Sequence, residues 1–115
     1  MSVVKVIGGW YPCQLTHEIT HADTTAHSTD MFATGVPKEA SVIFFTLTRS
    51  VGTGDLEISS SAGGTQLGIN DDEVAMWFRG EDGLFHYELE TANDDVNCEI
   101  MGYFVQGSLA RALRR

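Results

Sequence analysis

Short segments rich in β-branched and aromatic residues follow one another at regular intervals through the last two thirds of the chain. Clusters of Gly, Asn and Asp, which favour turns, separate them. Short strands at this spacing are typical of an all-β sandwich or barrel. The predicted strands are residues 42–48, 56–60, 74–79, 84–90 and 96–105. The sequence therefore predicts a two-sheet antiparallel β-sandwich of the jelly-roll type.

The two ends of the chain give less regular patterns. A strand is predicted at residues 2–7, a turn at 8–12, a strand at 14–21 and a polar loop at 22–34. Residues 108–115 begin with a serine that can cap a helix and carry arginines near their end, which suits the helix dipole. We therefore expect a sandwich domain at residues 1–107, followed by a basic C-terminal tail or short helix at 108–115.

One strand is predicted to lie at the centre of the sandwich. In residues 42–48 both alternating sets of side chains are apolar, which is typical of a strand covered on both faces. Four residues are predicted to be largely buried: Phe44, Phe85, Ile100 and Phe104. Gly102 interrupts the last strand, and a glycine there indicates a bulge or a close neighbour.

The chain is strongly acidic, and its positive charges are unevenly placed. The formal net charge is −9, and three of the seven Lys and Arg residues lie in the last five positions. Such a surface repels phosphate backbones, so nucleic acid is not expected as a partner. No apolar run approaches the roughly 18 residues of a membrane span, so no membrane partner is expected.

The two cysteines are too few for a disulfide framework. Cys98 alternates with Val96 and Ile100 and is predicted to be a small buried hydrophobic residue. A bridge between Cys13 and Cys98 remains an open alternative. The first nine residues are too short and too rich in strand formers for a secretory signal, so assembly in the cytoplasm is expected.

Residues 17–21 read HEITH, which matches the HExxH motif of zinc peptidases. His27 follows His17 by ten residues, the third-ligand spacing of the metzincin peptidases. The resemblance covers eleven residues and implies His17, His21 and His27 as zinc ligands, with Glu18 as the general base.

The local sequence argues against the helix that this motif requires. Thr16, Ile19 and Thr20 are β-branched, and the apolar residues recur every two positions. In a strand, residues four apart are separated by about 13 Å, too far for two histidines to share an ion. We therefore predict no catalytic residue, no metal and no cofactor. A zinc peptidase, and an adventitious metal site using some of these histidines with Asp23, remain alternatives.

A second resemblance extends from Gly35 to Val105. Its elements, in order, are Val36-Pro37, Ala40, the strand at 42–48, Gly54, Gly83-Leu84 and the final Gly102-Tyr103-Phe104. This order resembles a β-sandwich domain of bacterial cell-surface proteins and phage virion proteins. The resemblance implies no catalytic residues. Because no secretion signal is apparent, we expect the phage context.

The expected function is therefore that of a non-enzymatic phage virion structural protein. It would be a capsid decoration or minor head or tail protein, located in the virion and assembled in the host cytoplasm. The expected mechanism is burial of surface between subunits, in a homo-oligomer such as a trimer that binds capsid or tail proteins. The predicted interface residues are Leu109, Arg111, Leu113, Arg114 and Arg115, with the arginines pairing acidic turns at 71–73 or 94–95 of a neighbour.

A different class of function is also compatible with the sequence. Trp77 and Tyr87, together with the acidic loops, would form the binding site of a carbohydrate- or receptor-binding module, and Trp10 is a further ring on which a sugar could stack. The partner would then be a surface glycan.

Overall fold

The structure, a computed structural model, describes residues 8–106. In this range the chain forms short and long β-strands and a single four-residue 3-10 helix, Met31–Thr34. The strands are β1 (Gly9–Thr20), β2 (His27–Thr29), β3 (Ala40–Val51), β4 (Leu56–Ser59), β5 (Leu67–Ile69), β6 (Val74–Phe78), β7 (Phe85–Leu89) and β8 (Asp95–Val105). Among the described residues, no helix is long and apolar enough to cross a membrane.

The strands pair as one long antiparallel ribbon that is wound into two facing sheets. Antiparallel partners nest around the β4–β5 connection: β4 with β5, β3 with β6, β2 with β7, and β1 with β8. Rolling up the ribbon adds two further contacts, β8 with β3 and β7 with β4. The result is a first sheet, β1-β8-β3-β6, and a second sheet, β2-β7-β4-β5. This is the connectivity of an eight-stranded jelly roll, and the predicted fold is confirmed.

The hydrophobic core lies between the two sheets. Alternate residues of the strands face inward, as their period of two requires. Trp77 is fully enclosed there, where its indole Nε1 donates to the carbonyl oxygen of Ser59 at 2.8 Å. The rings of Trp77 and Phe85 meet edge to face, with centroids 5.4 Å apart. The predicted burial of Phe85, Ile100 and Cys98 is confirmed.

A one-residue bulge in β8 overturns the predicted burial of Phe104. Phe44 of β3 pairs with Gly102, but the next residue, Phe45, pairs with Ile100, so Met101 has no partner. Such an insertion reverses the faces of all residues beyond it. Phe104 therefore lies on the outside of the first sheet and is 43% exposed. Phe44 also lies on that outer face and is only partly buried, so its predicted core position is wrong too.

The first third of the chain is more regular than predicted. Residues 9–12 are not a turn but the start of β1, which pairs with β8 from Gly9 opposite Val105 to Thr20 opposite Asp95. That long ladder outweighs the local turn preference, and the register slips just after Pro12, where a donor is missing. The predicted loop at 22–34 contains β2 and the 3-10 helix. The predictions for residues 2–7 and 108–115 lie outside the described residues.

A buried ion pair fastens the loops at the end of the sandwich where β3 finishes. Side chains of Arg49 and Asp94 are almost fully buried and approach to 3.5 Å. Arg49 also donates to the carbonyl oxygen of Gly54 and, at 2.9 Å, to Asn70, and its Nε lies 3.4 Å from Asp71. Two of the acidic turn residues expected to pair with a neighbouring copy, Asp71 and Asp94, are thus engaged within the chain.

Candidate functional site

The outer face of the first sheet is apolar at the end where β1 begins and β8 finishes. Register aligns one row of side chains across all four strands: Trp10 opposite Phe104, Phe104 opposite Val42, and Val42 opposite Phe78. Directly opposed side chains lie within contact distance of one another, so the row is continuous. We name the apolar face by its seven residues, Trp10, Val42, Phe44, Val74, Met76, Phe78 and Phe104.

Trp10 lies flat on this surface because Gly102 leaves room for it. A Cβ atom at Gly102 would overlap the indole ring, so the close neighbour predicted from this glycine is Trp10. The ring of Trp10 also meets that of Phe44 edge to face, at 4.9 Å between centroids. Trp10 is therefore held in place within the chain while half of its surface remains exposed.

The exposed area of the apolar face is large for a single domain. Its five most exposed members are between 43% and 65% exposed. Side chains of this size cover 150–250 Å² each, so the exposed apolar area is on the order of 500 Å². The largest apolar patch on a typical monomer covers about 300–600 Å² and is often functional. The buried hydrophobic side chains need no such explanation, because they fill the core between the two sheets.

Beyond the apolar face, the same outer surface becomes polar and negatively charged. Glu18 and Glu99 face outward from β1 and β8, and Asp95 lies further along β8. Thr48 donates to Glu99 at 3.1 Å, and Thr20 donates to Asp95 at 3.0 Å. We call this region, defined by Glu18, Asp95 and Glu99, the acidic half of the outer face.

A trough of about 870 Å³ lies at the boundary between the apolar face and the acidic half. It opens where both strands lose regular pairing, at the register shift after Pro12 in β1 and at the Met101 bulge in β8. Residues that line it include Pro12, Cys13, Leu15, Glu99, Ile100 and Met101. The trough thus combines apolar walls with a carboxylate at its acidic side.

Cys13 is a free thiol in the wall of the trough. Its Sγ donates to the carbonyl oxygen of Ile100 at 3.7 Å, and burial raises the pKa of the Cys13 thiol. Cys98 is also a free thiol but is fully enclosed, and burial raises its pKa to about 12. The alternative of a bridge between the two cysteines is therefore not realised.

The HExxH residues are dispersed along an extended strand. His17 lies in β1 with its ring against Phe85, and desolvation by burial lowers the pKa of His17. Glu18 is the next residue and is exposed on the opposite face of the sheet. His21 follows the end of β1, where its Nε2 lies 2.7 Å from the hydroxyl of Tyr87. The helical turn that would bring the first two histidines together is absent from this segment.

The third histidine of the motif pairs with the second rather than with a metal-binding set. The rings of His21 and His27 stack at 3.7 Å between centroids, and His27 Nε2 lies 2.8 Å from a carboxylate oxygen of Asp23. Within residues 8–106, no group of three or more His, Cys, Asp and Glu side chains is arranged to hold a metal ion. These residues therefore do not fit the zinc centre that the resemblance implies.

The predicted glycan platform is wrong in its residues. Trp77 is 1% exposed and Tyr87 is 7% exposed, so neither ring can lie against a sugar. Trp77 is committed to the core by its contact with Phe85. Burial also raises the pKa of the Tyr87 hydroxyl.

Sequence reasoning missed Met76 and Phe78 as surface residues. A signal for both was present, because β6 reads Val-Ala-Met-Trp-Phe and is apolar on both faces. Only one face of a strand at the edge of a sandwich sheet can meet the core. The second apolar set therefore predicts an apolar outer surface on this strand.

Comparison of the chain with protein-family models, curated proteins and solved structures found no match. What the molecule does is therefore inferred from its own surfaces. Of these, the apolar face and the adjoining trough are the features that the fold alone does not explain.

Proposed function

We propose that this chain is a non-enzymatic structural protein of a phage virion, a capsid decoration or minor head or tail component. It assembles by burying its apolar face against a second copy of the chain. The observation that carries the proposal is the continuous row of exposed apolar side chains across all four strands of the first sheet. The jelly roll adds modest support, because viral capsid domains often have this fold but unrelated proteins share it.

The absence of charge on the apolar face allows a second copy to be its occupant. With a net charge of −9, two copies repel each other over most of their surfaces. None of the seven residues of the apolar face is charged, so two copies can meet there without opposing like charges. A basic partner would instead be attracted to the acidic half.

The area is sufficient for stable association. Two apolar faces together would remove about 1,000 Å² of apolar surface from water, a gross gain of about 25 kcal/mol. Lost freedom of motion on association costs about 4–15 kcal/mol. A standard interface buries about 800 Å² per partner, so the polar rim around each face would supply the remaining contact. A closed dimer or trimer satisfies this burial for every copy.

The test of assembly compares two exposed phenylalanines of nearly equal accessibility. Phe78 of the apolar face is 56% exposed, and Phe32 of the 3-10 helix, outside that face, is 58% exposed. Sedimentation of the full chain over a range of concentrations should show a defined oligomer. Phe78→Ser should shift that oligomer toward monomer, whereas Phe32→Ser should leave it unchanged, with circular dichroism confirming that both variants fold. Equal behaviour of the two variants, or a monomeric wild type, would contradict assembly through this face.

The virion context needs a separate measurement. Mass spectrometry of purified particles from the phage whose genome carries this coding sequence should detect the chain at a fixed ratio to the major capsid protein. Capsid and portal genes should lie beside its own gene. A chain missing from intact particles would overturn the virion role and leave self-assembly standing. The glycan-binding alternative stays a prediction: Trp77 and Tyr87 are buried, whereas Trp10 is exposed.

A further inference from the structure

Part of the acidic partner first expected for the basic segment, residues 108–115, is already engaged within the chain. Asp94 is buried against Arg49, and Asp71 lies 3.4 Å from the same guanidinium. Asp94 is therefore closed off, and Asp71 shares its cation with it. The arginines of the basic segment, Arg111, Arg114 and Arg115, would gain little from them.

The trough and the acidic half together offer a better match. The trough has apolar walls, including Met101, which is 39% exposed, and Glu99 lies at its acidic side. Glu18 faces outward nearby, on the strand that pairs with β8. The basic segment has the complementary composition, since it contains two leucines, three arginines and no acidic residue.

We propose that the basic segment of one copy docks into the trough of a neighbouring copy. This inference rests on the proposed self-assembly, and it specifies a second, separate contact within it. Leu109 and Leu113 would cover the apolar walls, while the arginines pair with Glu99 and Glu18. Exposed ion pairs contribute only about 0–1 kcal/mol each, so the leucines supply most of the affinity and the charges set the direction.

The position where β8 ends favours a neighbour's trough over the chain's own. β8 ends at Val105, opposite Gly9, beside the apolar face. Trp10 lies over Gly102, between that end and the trough, and would stand in the path of a returning segment. In the assembly, the second copy on the apolar face would close the same path. β8 therefore ends next to the apolar face, where the neighbouring copy would lie.

Cys13 provides a built-in probe of this docking. It lines the trough, whereas Cys98 is fully enclosed and does not compete. In the full-length Leu113→Cys variant, oxidised glutathione at mildly alkaline pH should join the new thiol to Cys13 of a neighbour. Covalent multimers should then appear on non-reducing gels. They should disappear in the double variant Leu113→Cys/Cys13→Ser.

A matched control and a charge exchange sharpen the result. Ser61→Cys places a thiol at an exposed position near the second sheet and should give no multimers under the same conditions. Glu99→Arg should reduce cross-linking of Leu113→Cys several-fold, and adding Arg111→Glu should restore it. A merely mobile thiol would be insensitive to both changes.

Three results would overturn the docking. They are a disulfide formed within one chain, cross-linking that persists without Cys13, and multimers no more abundant than in Ser61→Cys. Sedimentation keeps this inference distinct from the proposed function. If Phe78→Ser dissociates the oligomer while Leu109→Ser/Leu113→Ser leaves it intact, assembly through the apolar face stands and docking of the basic segment fails.

Discussion

The outer faces of the two sheets differ sharply, although the inner faces are alike. On the second sheet the outward residues are polar, and Glu57 of β4 lies directly opposite Glu88 of β7. On the first sheet the corresponding rows hold Trp10, Phe104 and Phe78. Like charges directly opposite each other are tolerable only where water screens them. The second sheet therefore presents a polar outer face to solvent, whereas the first presents the apolar face on which the proposed self-assembly rests.

The two outer faces also differ in what surrounds an outward-facing glycine. Gly102 of the first sheet is buried beneath the Trp10 ring. Gly68 of the second sheet lies opposite Glu57 and is exposed, with only the carboxylate of Asp55 nearby. Gly102 thus makes room for an aromatic ring on the first sheet, whereas no ring packs over Gly68 on the second sheet. The apolar face is an organised surface and not a chance cluster of exposed residues.

The largest expected effect separates the two faces of a single strand. Phe45 of β3 is fully buried, whereas its neighbour Phe44 points outward beneath Trp10. Phe45→Ala should lower the free energy of unfolding by about 3–5 kcal/mol. Phe44→Ala should cost clearly less in the monomer and should weaken self-association instead. Denaturant melts at low protein concentration, together with sedimentation, measure both quantities; equal losses of stability would place both rings in the core.

The sequence predicted the strands and the sandwich because β3 is a run of β-branched and aromatic residues, while β7 and β8 alternate apolar with polar residues between clear turn signals. It could not predict β2 and β5, since three-residue strands are too short to show a period. Two apolar faces on residues 42–48 predict burial on both sides of the strand, which is correct for one side only. Ile43 and Phe45 meet the core, whereas Val42 and Phe44 lie on the outer face and are partly buried.

Other features depend on pairing that no local pattern contains. The extra residue at Met101 reverses the faces of the strand end, so Phe104 moved outward against its apparent alternation. The trough arises only because the irregularities near Pro12 and Met101 meet, although the two residues lie far apart in the chain. Gly102 gave the one local hint, and it correctly indicated a close neighbour.

The second prediction compares the two outer glycines. Gly102→Ala should displace Trp10 and lower stability by about 1–3 kcal/mol, the usual cost of overpacking. It should also weaken self-association, because Trp10 belongs to the apolar face. The fluorescence of Trp10 should change as well. The variant Trp10→Phe, measured in parallel, gives the signal of Trp77 alone, which can then be subtracted.

Gly68→Ala is the matched control for that substitution. Its new methyl group would lie about 3.1 Å from the carboxylate of Asp55, the mobile end of a side chain that can move aside. Stability and self-association should both stay close to wild type. If Gly68→Ala proved as harmful as Gly102→Ala, the loss would reflect glycine replacement in strands generally and not the packing of Trp10.

The third prediction concerns the inner side of the first sheet, where His17 is half-buried. Burial lowers the pKa of His17 below its usual 6.5, so the folded chain keeps the imidazole neutral while the unfolded chain takes up a proton. This contribution to stability is full above pH 6.5 and is lost as the pH falls below that value. The lowered pKa of Asp23, held chiefly by His27, and of Asp82, held chiefly by the Leu84 amide, matter only in more acidic solution.

Denaturant midpoints measured as the pH is lowered through 6.5 should therefore decline for the wild type. His17→Gln, which cannot titrate, should flatten part of that decline. Identical pH profiles for the two proteins would show that His17 is not the group responsible.

The smallest expected effect tests whether the second sheet is kept apart from other copies by charge. Glu57→Gln removes the repulsion from Glu88, its direct cross-strand neighbour, and should raise stability by about 0.2–1 kcal/mol. The gain should vanish in about 1 M salt, where the screening length falls to roughly 3 Å. Glu81→Gln, in an exposed turn, lowers the net charge equally and should give no comparable gain. Equal gains at both positions would mean that total charge matters and the opposed pair does not. Since the remaining outer residues of the second sheet are polar, Glu57→Gln should leave the oligomeric state unchanged; new association through this face would show that its charge, and not its lack of apolar area, keeps it free.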